Sequence, residues 1–140
     1  MYLNTHSYYS LRYGTMSIKK LVATAKQYGI TRFALTDINN STGMIDFVEE
    51  CKSQGIKGIA GMEFRQNNKL LYIGIAKNNT GFHEINEFRT KYNMLKLSLP
   101  DTPPICNNVF WIFKFHPDKE YSLRKNDYIG ILHSQLHHIY

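Results

Sequence analysis

Cysteine is scarce in this chain. Cys51 and Cys106 are the two in 140 residues, and no C-x-x-C spacing occurs. That argues against a disulfide framework or a thiolate zinc site and suits a reducing cytoplasm. Long apolar runs are missing too. The longest, VFWIF at Val109–Phe113, is far too short to span a bilayer, so no membrane partner is expected. The residues after Met1 lack the charged start and apolar core of a signal peptide. No block of like charge is present. The net charge of +6 permits contact with nucleic acid, yet the basic residues scatter from Arg12 to Lys125 with nothing beyond pairs such as Lys19-Lys20 and Arg124-Lys125. That pattern predicts an ordinary solvated surface rather than a dedicated DNA-binding stripe. Glycines occur in GITRFALTD and GIKGIAGME, but none has the spacing that cradles a phosphate.

What the chain has is a globular composition. It is 43% hydrophobic and 20% charged, with ten Tyr and eight Phe, enough for one domain whose core mass is largely aromatic. It also contains an internal repeat. KQYGITRFALTD (Lys26–Asp37) and KSQGIKGIAGME (Lys52–Glu63) align without a gap, each reading Lys, two spacers, Gly-Ile, a short apolar run and an acid. Before Gly29, the positions Ile18, Leu21, Val22 and Ala25 keep helical spacing. Before Gly55, Ile45, Val48 and Cys51 are expected to do the same, with Ser41 or Thr42 as N-cap. A glycine just past a last turn can adopt the left-handed conformation that ends a helix. The unit is therefore helix, glycine turn, buried strand, acid.

Such units imply parallel strands joined by right-handed crossovers, with each acid at the carboxyl end of its strand, where sites are assembled. A first strand is expected at Tyr2–Thr5, which places His6, Asp37 and Glu63 along one rim. Another strand, KLLYIGIAK, follows the polar turn RQNN and leads into a helix carrying Phe82, Ile85 and Phe88. The regular β/α units are read over residues 1–92, a connector rich in proline over 93–108, and two more strand candidates, NVFWIFKF and DYIGILHS, within 109–140. QLHHIY closes the chain just where Ser134 could cap a new helix, and the whole reads as an N-terminal fragment of something larger.

Three ordered motifs carry a family resemblance. THSYYSLRYGTMSIKKLVATAKQYGI is similar to an opening His-x-His-Ser-x-Tyr-Ser stretch that leads into a helix. FALTDINNSTGMIDFVEECKSQGIKGIAGMEF is similar to an Ala-Leu-Thr-Asp-His-Gly-Asn segment, the next helix and a Gly-x-Glu-Phe strand end. LLYIGIAKNNTGFHEINEF matches a strand followed by Ala-Lys-Asn and a Gly-aromatic helix. Together they resemble the PHP (polymerase and histidinol phosphatase) domain at the N-terminus of bacterial replicative DNA polymerase III alpha subunits. The match is strongest over Tyr2–Phe88 and loose from Arg89 onward. The resemblance implies a distorted, TIM-like parallel β/α barrel, here partial, with a metal centre at the strand carboxyl ends. It also implies polymerase carboxylates downstream of this chain.

Among metal-binding members the resemblance points to five early ligands. The positions of three hold Asn4, Tyr13 and Ile38 here, while His6 and Glu63 are retained, as is Asp37, whose family role is less clearly that of a ligand. Several packed divalent ions need many anionic or imidazole ligands to offset their mutual repulsion. Ile38 cannot coordinate, Tyr13 is neutral near pH 7, and Asn4 is a weak donor. The expectation is a vestigial, empty site at His6, Asp37 and Glu63, with no cofactor. A single zinc or manganese ion on those three stays open. The late histidines His116, His133, His137 and His138 lack the Glu of a helical zinc motif. Tyr8, Tyr9 and Tyr13 could stack on bases of single-stranded DNA, or fill a rim vacated by metal ligands.

Three functional readings follow. The leading one is a catalytically inactive scaffold that braces the rest of a polymerase chain, meets DNA through that parent protein and docks a proofreading exonuclease. The second is a metal-dependent phosphoesterase or 3′–5′ exonuclease with a reduced ligand set. The third is a stand-alone binding module.

Overall fold

The computed structural model describes residues 1–131 and 133–138. The elements run α1 (Ile18–Gln27), β1 (Arg32–Leu35), α2 (Met44–Ser53), β2 (Lys57–Gln66), β3 (Lys69–Ala76), α3 (Asn79–Met94), β4 (Val109–Lys114) and β5 (Asp127–Gly130). A 3-10 helix covers His133–His138, and the side chains of His133, His137 and His138 lie outside the described residues.

The repeat folds as its pattern demands. Ser17 caps α1 by accepting from the Lys20 amide, and both repeat glycines take the left-handed conformation, Gly29 at φ 67° and Gly55 at φ 72°. Each turn releases the chain into a strand, and β1 and β2 pair in parallel with Phe33 opposite Gly58 and Leu35 opposite Ala60. Ile18, Val22 and Ala25 of α1 pack with Phe33, Leu35, Met44, Phe47 and Cys51 into one core on the helical side of the sheet.

The parallel plan stops at β2. Asn67 (φ 49°) and Asn68 (φ 62°) form a two-residue turn with both residues left-handed, the geometry that suits a twisted hairpin, and β3 returns antiparallel to β2. Two residues are too few for a crossover helix, so a parallel partner is impossible there. β4 is antiparallel to β3, and β5 is parallel to β4, in an open mixed sheet of order β1-β2-β3-β4-β5. A second core lies beneath α3, where Phe64, Tyr72, Phe88 and Trp111 meet with ring centroids 5.3 to 6.4 Å apart. The segment before β4 packs on this core through Leu99, whose amide donates to Gln66 Oε1 at 2.6 Å, while the Tyr72 hydroxyl donates to Pro100 O at 3.0 Å.

Three expectations are corrected. α2 buries Met44, Phe47 and Cys51, while Ile45 is 72% exposed and Val48 44%. Positions 44, 47 and 51 return to one face after two turns, whereas 45, 48 and 51 drift around the helix axis. The N-cap is Gly43 without a side-chain bond, because Ser41 spends its hydroxyl on Asn86 Oδ1 of α3 at 2.6 Å. The stretch Tyr2–Thr5 does lie parallel to β1, but it forms a single bridge, Tyr2 to Phe33, in place of a strand. Backbone bonds run from Ala34 N to Tyr2 O and from Thr36 N to Thr5 O, each at 2.9 Å, but regular pairing is lost between them. The Thr5 hydroxyl donates to Ala34 O and its amide donates to Thr36 Oγ1, so side chains take bonds that backbone groups would otherwise share.

Candidate metal centre at the strand ends

Three segments converge just past the end of the β1–β2 ladder: the loop after Thr5, the turn after Leu35, and Glu63, which lies inside β2 because that strand runs on to Gln66 instead of ending at the acid. The loop is tightly wound. Ser10 N donates to Ser7 O, Gly14 N donates to Ser10 O, and Tyr8 N donates to Met16 O, each at 2.9 Å. A Cβ on Gly14 would stand 1.8 Å from Ser7 O, so this closure admits only glycine.

Asp37 is the brace of that loop. Its buried carboxylate accepts from Ser7 N at 2.7 Å, Ser7 Oγ at 2.6 Å and Ser10 Oγ at 2.6 Å. Ser10 Oγ in turn accepts from Ile38 N at 2.9 Å. Both carboxylate oxygens are thus committed to the loop, away from His6 and Glu63.

Glu63 is fully buried and holds a second, separate network. Its Oε2 accepts from Asn4 Nδ2 at 2.9 Å and meets His6 Nε2 at 3.0 Å, while Oε1 pairs with Arg65 Nε. Asn4 is held in place by Thr36 Oγ1, which donates to its Oδ1 at 2.8 Å. Burial pushes the Glu63 carboxyl up, but the bonds from His6, Arg65 and Asn4 outweigh it and the group sits below its ordinary range. Arg65 is fixed at its backbone by Asn39, whose Oδ1 accepts from Arg65 N at 3.0 Å and whose Nδ2 donates to Arg65 O at 2.8 Å. The Tyr13 ring lies under the guanidinium, 4.2 Å from its carbon to the centroid, and edge-on to His6 at 6.4 Å.

Of the three residues expected at the rim, then, His6 and Glu63 meet and Asp37 is engaged elsewhere. Among the described residues no group of three or more His, Cys, Asp or Glu side chains is arranged to hold a metal ion. The donor set does not fit a multi-metal centre. Glu63 is surrounded by donors, Ile38 only bridges to it through backbone, and a guanidinium fills the space beside it. His116 pairs with exposed Asp118 at 3.9 Å in the loop after β4. Tyr9 packs against the α1–α2 core, while Tyr8 and Tyr13 remain half-exposed at 46% each.

Arg65 and Asn39 were not among the residues expected from the sequence. The signal for Arg65 was present, since two residues on from Glu63 along a strand is the same face. Asn39 carried a weaker one, a polar residue able to adopt the left-handed conformation it shows at φ 55°.

Comparison with known proteins shows the family. The PHP domain family matches residues 3–115. The DNA polymerase III subunit alpha of Chlamydia muridarum is 49% identical over 61 residues, covering 44% of this chain and 5% of the relative. That of Treponema pallidum is 34% identical over 105 residues, covering 65% of this chain and 9% of the relative. The chain therefore spans less than a tenth of the length of these relatives. Among solved structures, an amidohydrolase from Chromobacterium violaceum superposes with a TM-score of 0.53 at 16% identity, covering 67% of this chain and 33% of that one, a likeness of fold alone. No helix among the described residues is long and apolar enough to cross a membrane. With the motifs in order, the partial β/α barrel in place and the rim at the strand ends occupied by His6 and Glu63, the chain belongs to the PHP domain family.

Proposed function

We propose that the chain serves as the PHP domain of a bacterial replicative DNA polymerase III alpha subunit and acts there as a metal-free scaffold. The observation that carries this reading is the engagement of both Glu63 oxygens by protein groups, Oε2 by Asn4 and His6 and Oε1 by the Arg65 guanidinium, which places a fixed cation where a metal would need the carboxylate. Hydrolysis of a phosphoester at such a rim needs an ion to activate water, and this donor set is built to hold a carboxylate rather than a cation. The domain's work is then mechanical. It presents a rigid rim and sheet to the remainder of the polymerase chain in the cytoplasm, offers a docking surface for a proofreading exonuclease, and meets DNA through the parent protein.

The test is metal content and hydrolysis by the purified chain. Elemental analysis should find no stoichiometric zinc or manganese, and incubation with 3′-ended single-stranded DNA or a phosphomonoester plus Mn²⁺ should give background rates. Near-stoichiometric metal that disappears in Glu63→Ala would overturn the scaffold reading and establish the phosphoesterase instead.

A further inference from the structure

Glu63 poses a problem that lost ligands alone do not solve. A fully buried carboxylate needs a compensating charge, and among the described residues the permanently charged group against it is Arg65. We propose that the Arg65 guanidinium is the resident cation of this rim, a side-chain replacement for the metal that bars divalent ions from Glu63 whether or not the other ligands are restored. The proposal rests on the metal-free reading above and adds a second, independent barrier to it.

Four observations converge. Arg65 follows Glu63 by two positions on β2, so its side chain rises from the same face and folds back onto Oε1. Asn39 holds both backbone groups of Arg65, which fixes the arm from which the guanidinium projects. The Tyr13 ring covers the guanidinium at 4.2 Å, a contact that suits a flat, weakly hydrated cation and offers nothing to a hydrated metal ion. Asn4 donates an N–H to Oε2, a bond that requires the lone pair a metal would take. The residues at three of the family's ligand positions are thus not independent losses. Asn4 and Tyr13 complete a shell around the Glu63–Arg65 pair, and Ile38 bridges by backbone alongside it.

The experiment compares two full-length variants titrated with Zn²⁺ alone. One carries Asn4→His, Tyr13→Asp and Ile38→His with Arg65 kept, and the other adds Arg65→Met. Binding should be about tenfold or more tighter in the second, because a fixed positive charge no longer competes for the carboxylate. Equal affinity in the two overturns the role of Arg65 while leaving the metal-free reading of the natural chain intact. Stoichiometric zinc in the unmodified protein sinks both. A second measurement covers the case in which the restored variants do not fold. In the otherwise natural chain, Glu63→Gln, Arg65→Met and their combination form a thermodynamic cycle by urea unfolding. The two effects should be strongly non-additive, the double variant being less impaired than the product of the single effects predicts by about tenfold in the unfolding equilibrium. Additivity within about twofold overturns the proposal. Arg65→Lys, which keeps the charge but not the planar fork, should recover part of what Arg65→Met loses.

Discussion

Removal of the Asp37 carboxylate isolates one load in this rim. Three donors converge on it, from Ser7 N, Ser7 Oγ and Ser10 Oγ, and both serines are buried. Asp37→Ala leaves all three without an acceptor in a site water does not reach. An orphaned buried donor costs about 1–3 kcal/mol. The hydroxyls can rotate toward other acceptors, so the lower half of that range applies to them, and the sum is about 3–7 kcal/mol. Asp37→Asn keeps one acceptor oxygen and the shape, and should cost about 1–2 kcal/mol. Trp111, the one tryptophan in the chain and 1% exposed, reports unfolding by fluorescence during a urea titration. Adding Zn²⁺ should leave the difference between natural and Asp37→Ala chains unchanged, since Asp37 braces a loop instead of binding an ion. An Asp37→Ala chain within about 1 kcal/mol of the natural one would refute the reasoning. So would a zinc-dependent difference.

Other perturbations read other parts of the structure. Gly14→Ala drives a Cβ to 1.8 Å from the Ser7 carbonyl and should cost about 2–4 kcal/mol in the same titration, a value near zero meaning the loop closes differently. On α2, Phe47→Ala should cost about 3–5 kcal/mol and Ile45→Ala under about 0.5, and a reversed order would rotate the helix by one position. The Cys51 thiol is pushed up to about 11 by burial and then by Glu50, so a disulfide reagent at pH 8 should spare Cys51 until urea opens the core. Glu63 lies below its ordinary 4.5 in the folded chain because donors outweigh burial, so its contribution to stability is whole above pH 4.5 and fades as acid carries the pH through the lower folded value. Glu63→Gln should flatten that acid limb of the stability profile, and an unchanged limb would assign it to other carboxylates.

The parts legible from the sequence are those where local chemistry and global fold agree. Gly29 and Gly55 mark helix ends because a left-handed residue there serves both the turn and the strand that follows. The acids at the ends of the repeats fall at the rim because strand direction sets which end of each strand faces it. The misses are of another kind. The α2 face depends on where Gly43 starts the helix, and Ser41 is drawn off by Asn86, a residue 45 positions away. The N-terminal pairing loses its regular register between Tyr2 and Thr5, where the Thr5 hydroxyl takes the Ala34 carbonyl, a competition invisible to alternation patterns. Asp37 and Glu63 look like a pair in the repeat, yet Ser7 and Ser10 claim the first and Arg65 the second. Which donor reaches which oxygen is decided in three dimensions.

The long strand β2 couples the two halves of the molecule. Residues Lys57–Ala60 zip to β1 on one side, and Gly61–Gln66 zip to β3 on the other, so one ten-residue strand is shared by two staggered ladders. The helical core of α1 and α2 rests on the first ladder, and the aromatic core under α3 rests on Met62 and Phe64 in the second. Neither half can peel away as a separate foldon without stripping backbone bonds from the strand that supports the other. The amides of β2 should therefore exchange with solvent only through opening of the whole chain, and Glu63, in the middle of that strand, inherits the slowest breathing the protein has.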